Sequence, residues 1–119
     1  MNQPATFHWN TDSEGSDDVV IALSNAPDLL IAKRIAHYLV EEGLAACVNL
    51  GAEMLSMYMW KGQLEGNSEV PFTIKTTRGN MPKLAARLSE LHPYEVPELV
   101  VLPVIGGSKA YLDWVKAPT

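Results

Sequence analysis

Apolar residues alternate or cluster along this chain in a pattern that predicts short strands separated by two helices. Val19–Leu23 is a β-branched apolar run of strand length. It leads into Ser24-Asn25-Ala26-Pro27-Asp28, which reads as a helix start with Asn25 as N-cap and Pro27 in the first turn. Ile31, Ile35 and Leu39, with Ala32, Ala36 and Val40 beside them, give the helix an apolar face. Lys33, His37 and Glu41 give it a wet one, and Gly43 terminates it after Glu42. Leu44–Leu50 predicts a second strand, interrupted at Gly51 and resumed over Met54–Trp60; a glycine inside such a pattern marks a bulge or bend. Lys61-Gly62 predicts a tight hairpin turn and Gln63–Thr76 the return strand. Asn80 stands as cap to a second helix over Met81–Leu91, with Leu84, Leu88 and Leu91 on one face and Pro93 just beyond its end. Glu98–Ile105 predicts the fourth strand. Gly106-Gly107 then breaks the chain before a short helix capped by Ser108, which carries Tyr111, Leu112, Trp114 and Val115.

The order is β-α-β-β-α-β with a short C-terminal helix, which predicts an α+β, ferredoxin-like antiparallel sheet with two helices on one face. Two helices cover only one face. The resumed second strand nevertheless places Leu55, Met57 and Met59 on one side and Met54, Tyr58 and Trp60 on the other, and the fourth strand is apolar on both sides. Another copy of the chain is the simplest cover, so the pattern predicts an obligate oligomer. Pro71 conflicts with a simple sheet, because the third strand is central and proline donates no ladder bond. Either the second and third strands extend as a hairpin beyond the sheet, or Pro71 lies at a bulge.

With 119 residues, 47% hydrophobic and 19% charged, the chain has the composition of one globular domain. The net charge of -5 is concentrated at the start: Asp12, Glu14, Asp17 and Asp18 stand among residues 1–18, which contain no Lys or Arg. That segment reads as a disordered acidic tail and residues 19–119 as the domain. The near-neutral domain has no basic stripe, which argues against a nucleic-acid partner. No apolar run is long enough to cross a membrane, and the first 18 residues lack the features of a signal peptide, so a cytoplasmic chain is expected. The single cysteine, Cys47, excludes an intrachain disulfide and reads as a small core residue.

Several blocks stand in a distinctive order: Ala26-Pro27-Asp28, Leu44–Asn49 (L-A-A-C-V-N), Tyr58–Glu65 (Y-x-W-x-G-x-L-E), Glu69–Thr77 (E-V…I-K-T-T), His92–Glu98 (H-P-Y-E-x-P-E) and Tyr111–Trp114. From Val19 to Val115 the chain thus resembles the CutA family, the divalent-cation tolerance proteins. The resemblance implies a ferredoxin-like fold in a compact homotrimer related to the P-II signalling proteins, assembled through the sheet face and the extended middle strands. It also implies a role in tolerance or response to divalent metal ions such as copper. The family's bacterial metal pattern has a Cys at the end of the first strand and a His-His pair at the end of the second helix. Here those positions are Ser24, Leu91 and His92, so two of the three ligands are replaced and only weak copper binding is expected.

His92 is therefore the candidate metal residue, since imidazole suits Cu and Zn, with Glu95 and Glu98 as possible helpers. The plainer alternative is a helix-terminal histidine favoured by the helix dipole. Trp60, Glu69, Lys75, Tyr94 and Glu95 form the candidate ligand cleft, with the aromatic residues equally suited to a subunit interface. No nucleophile–base order, phosphate-cradling loop or paired-carboxylate motif is visible, so the expected action is metal or small-effector binding rather than catalysis. A P-II-like binding module, or an enzyme using intersubunit clefts with Lys75, Glu69 and His92 as acid–base groups, is the alternative.

Overall fold

The computed structural model describes Phe7 and residues 17–117, so the expectation of a disordered tail falls largely outside the described residues. The elements are β1 (Val19–Ala26), α1 (Leu29–Glu41), β2 (Cys47–Leu50), β3 (Met54–Trp60), β4 (Gln63–Thr77), α2 (Met81–Leu91), β5 (Val100–Pro103) and α3 (Lys109–Lys116), with a 3-10 turn at Arg78–Asn80. The sheet runs β2-β4-β1-β5, antiparallel throughout, with β3 paired to the first half of β4. This is the α+β, ferredoxin-like arrangement read from the sequence. Asp18 is already tied to the body, its carbonyl accepting from the Arg78 N–H at 2.8 Å. Among the described residues no helix is long and apolar enough to cross a membrane.

One side of the sheet is the core. Val20, Ala22, Ala26, Val70, Phe72 and Ile74 face Ala32, Ile35 and Leu39 of α1 and Met81, Leu84, Leu88 and Leu91 of α2. The helix periodicities thus mark the buried faces, except that Val40, placed on the apolar face of α1, is 41% exposed. Outside the core, Arg87 of α2 donates to both carboxylate oxygens of Glu42, from Nε and Nη2 at 2.9 Å each, which ties the two helices together.

Several boundaries differ from the sequence reading. β1 continues to Ala26 because its ladder with β4 runs unbroken to Ala26↔Val70. Asn25 is therefore a strand residue, and Asp28 is the N-cap of α1, its carboxylate accepting from the Ile31 N–H at 2.8 Å. Leu44 and Ala45 are not yet strand: their N–H groups donate to the Leu39 carbonyl and close the end of α1 behind Gly43, whose φ is +73°. Asn80 makes no side-chain cap to α2, since its amide donates to Thr76 Oγ1 at 3.3 Å. β5 pairs with β1 over only four residues, from Val100↔Leu23 to Val20↔Pro103. Ser108 caps α3 as expected.

Pro71 explains the break at Gly51. The register of β4 against β1 passes through Asn25↔Pro71 without a bulge. On the other side, the Pro71 carbonyl accepts from the Gly51 N–H at 2.8 Å, but Pro71 has no N–H to return the bond. The β2 ladder ends there, and the chain re-pairs with β4 as β3. Gly51 lies so close that a Cβ would sit 2.9 Å from Pro71 Cγ, a contact only glycine avoids. The result is the expected hairpin beyond the sheet. It closes on Lys61 and Gly62, both with positive φ (51° and 79°), the turn that suits strand twist.

Candidate functional site

Four polar residues are buried together where the hairpin leaves the sheet: Ser24, Asn25, Glu69 and His92. Their placement follows from Pro93, which holds His92 in extended backbone (φ −84°, ψ 135°) directly after α2. The imidazole turns inward and is only 6% exposed. Its Nε2 lies 2.6 Å from the Asn25 carbonyl, and its Nδ1 lies 3.1 Å from the Tyr94 N–H. A carbonyl only accepts and an amide N–H only donates, so the proton sits on Nε2 and Nδ1 is an acceptor. Burial pushes the His92 pKa below its ordinary 6.5, and the Asn25 carbonyl and the Glu69 charge oppose this in smaller measure.

The end of β1 and the connection after α2 are sewn together around this ring. Ser24 Oγ donates to the Glu98 carbonyl at 2.6 Å, and Asn25 Nδ2 donates to Glu98 Oε1 at 2.9 Å. Tyr94 packs its ring 4.7 Å from the His92 ring, and its hydroxyl donates to Glu69 Oε2 at 3.4 Å. Desolvation and then the Glu69 charge raise the Tyr94 pKa above 10. On the hairpin, the Asn67 amide donates to the Tyr58 hydroxyl.

The chain brings together only part of the candidate cleft. Glu69 and Tyr94 meet, with Glu95 exposed next in sequence. Lys75 is six residues along β4, about 20 Å away at strand rise, with its Nζ 5.5 Å from the Tyr111 ring centroid. Trp60 lies as far in the other direction, opposite Gln63 at the hairpin tip. Of the metal candidates, His92 has both nitrogens engaged, Glu98 is held by Asn25, and Glu95 faces solvent. Among the described residues no three His, Cys, Asp or Glu side chains converge as a metal site. Cys47 is half-buried on an edge strand, its Sγ 3.7 Å from Asn49 Oδ1. The Asn25–Glu98 frame escaped the sequence reading because the same residues make an acceptable helix start, and only the length of the β1–β4 ladder separates the two.

The neutral buried imidazole predicts acid sensitivity. Unfolded His92 takes up a proton near pH 6.5, whereas folded His92 does so only at lower pH, so the unfolded state binds more protons between these values. The His92 contribution is complete above pH 6.5 and is lost as pH falls through that window, at up to ~1.4 kcal/mol per pH unit. Urea midpoints measured between pH 7.5 and 5 should fall, and the fall should be smaller in His92→Gln.

The fold and this cluster define a small α+β, ferredoxin-like protein in which four of the buried polar residues gather at one end of the sheet. Within that class the chain belongs to the CutA1 divalent ion tolerance protein family, which matches residues 20–118. It is 43% identical over 99 residues to the divalent-cation tolerance protein CutA of Thermus thermophilus, covering 83% of this chain and 96% of that one. It is 46% identical over 100 residues to the protein of the same name from Pectobacterium atrosepticum, covering 84% and 91%. The crystal structure of CutA1 from the psychrotrophic bacterium Shewanella sp. SIB1 superposes with a TM-score of 0.82 at 40% identity, covering 83% of this chain and 92% of that one.

Proposed function

We propose that this chain is a homotrimer that serves in tolerance of divalent metal ions such as copper, by weak binding of the metal or of a small effector rather than by catalysis. The observation that carries this reading is the apolar surface one copy leaves open. On β3, Leu55, Met57, Met59 and Trp60 are 67%, 59%, 64% and 56% exposed. Val100 and Leu102 on the helix-free face of β5, and Ile105 after it, add to that surface. A sheet face and a hairpin exposed in this way call for covering by further copies. Trp60 and Lys75 stand too far from Glu69 and Tyr94 for one chain to gather them, so a cleft containing Trp60, Glu69, Lys75, Tyr94 and Glu95 together forms only between copies.

Sedimentation equilibrium should return three times the chain mass of 13.1 kDa. A folded monomer at micromolar concentration would overturn the assembly. Copper binding should be weak, because an ion at His92 Nδ1 must displace the Tyr94 N–H and finds at most one or two carboxylates nearby. Calorimetric titration of copper into the full chain carrying His8→Ala, with and without His92→Ala, checks this. The expected result is roughly micromolar or weaker affinity that declines further without His92. Nanomolar binding that survives the substitution would contradict it.

A further inference from the structure

At the opposite end of the sheet from His92, the chain enters β1 beside a groove. The Asp18 carbonyl accepts from the Arg78 N–H at 2.8 Å, and Asp17 lies on the rim of a groove of about 350 Å³. Ala45, Ala46, Thr77, Val115 and Lys116 line it, so it runs between the approach to β2, the end of β4 and the end of α3. Two cations border it: Lys116 itself, and the half-buried Arg78, which stands between the lining residues Thr77 and Gly79. Glu42, next to the lining residue Gly43, is already taken up by Arg87. The sixteen residues before Asp17 include Asp12 and Glu14 and no Lys or Arg. Phe7, ten residues before Asp17, is half-buried, so the chain has apolar contact at that point as well.

We propose that residues 8–16 lie back across this groove as a strap, with Asp12 and Glu14 against Arg78 and Lys116, in place of the solvated tail that composition predicts. The lengths fit. Glu14 is three residues from the rim and Asp12 five, which gives reaches of about 10 and 17 Å. Charge complementarity selects this occupant, since the segment brings only carboxylates to a place bordered by cations. Its attachment at Asp17 also holds it at the groove at high effective concentration, an advantage no separate acidic molecule has. Exposed ion pairs are weak singly, and the apolar lining of Ala45, Ala46 and Val115 adds burial to them. Docked in this way, the strap ties the end of α3 to the turn after α1 and closes the groove to other anions.

Backbone 15N relaxation on the full, metal-free chain at low salt tests this. Residues 12–16 should have order parameters close to those of the domain, above ~0.8. Asp12→Asn with Glu14→Gln removes both charges and keeps both shapes. It should bring the order parameters below ~0.6 and shift the Ala46 and Lys116 amide signals. Lys116→Gln, and separately about 0.5 M sodium chloride, should each lower them in part. Values below ~0.6 in the unaltered chain overturn the proposal, and so do high values that survive the double substitution. Signal changes confined to residues away from the groove overturn it too. If the segment is free and inorganic phosphate shifts the Ala46 and Lys116 signals saturably, the groove takes a separate anion and the strap is ruled out. None of these measurements reads trimer mass or copper affinity, so failure here is distinct from failure of the function proposed above.

Discussion

Met57→Asp should leave the chain monomeric. Met57 lies on β3 opposite Gly66, its sulfur so close that a Cβ on that glycine would come within 2.9 Å. It lies over the partner strand and presents its remaining surface outward. Within a trimer built on the hairpin, an aspartate here would bury an unpaired charge once per copy, each costing several kcal/mol. That exceeds what the loss of one methionine contact would cost, so the effect on assembly should be all-or-none rather than graded. Sedimentation equilibrium should give the single-chain mass, with far-UV circular dichroism separating dissociation from unfolding. A variant that keeps three times that mass would show that this face of the hairpin is not the interface.

His92→Ala should destabilise the metal-free protein by about 3 kcal/mol at neutral pH. The substitution leaves the buried Asn25 carbonyl and the half-buried Tyr94 N–H without partners and opens a cavity between β1 and the connection after α2. Each orphaned group costs about 1–3 kcal/mol, and the cavity adds to that. Equilibrium denaturation at one fixed protein concentration checks this, since assembly makes apparent stability concentration-dependent. A loss below about 1 kcal/mol would show that the imidazole is not a structural member of the cluster. A histidine whose only role is metal ligation would cost nothing in metal-free protein, so this measurement separates the two roles.

Helix α2 was legible to its last residue. Leu84, Leu88 and Leu91 repeat at helical spacing, and Pro93 forbids continuation, both local facts. The hairpin turn was legible for the same reason, since Gly62 tolerates the positive φ that the turn requires. Asn25 was not. As a strand residue and as a helix cap it satisfies local chemistry equally well. The choice is made by Val70, which holds Ala26 in register with β4 forty-four positions downstream. The candidate cleft was half legible: Glu69 and Tyr94 do meet, while Lys75, assigned to the same site by strand parity, shares the face but lies far along it.

The sequence by itself determined the element order, the buried faces of both helices and the unusual apolar character of β3, because period, proline and glycine act within a few residues of where they stand. It also placed an interruption at Gly51, as a bulge or bend within one second strand, where the structure has two strands, β2 and β3. Tertiary structure alone decided why they separate: Pro71, twenty residues away, cannot return the hydrogen bond that Gly51 offers it. It alone decided that His92 is a neutral, doubly bonded ring and that Glu69 is a nearly buried carboxylate with one long hydrogen bond. Protonation and hydrogen-bond satisfaction depend on which distant groups come within about 3 Å, and that distance is set by packing rather than by order along the chain.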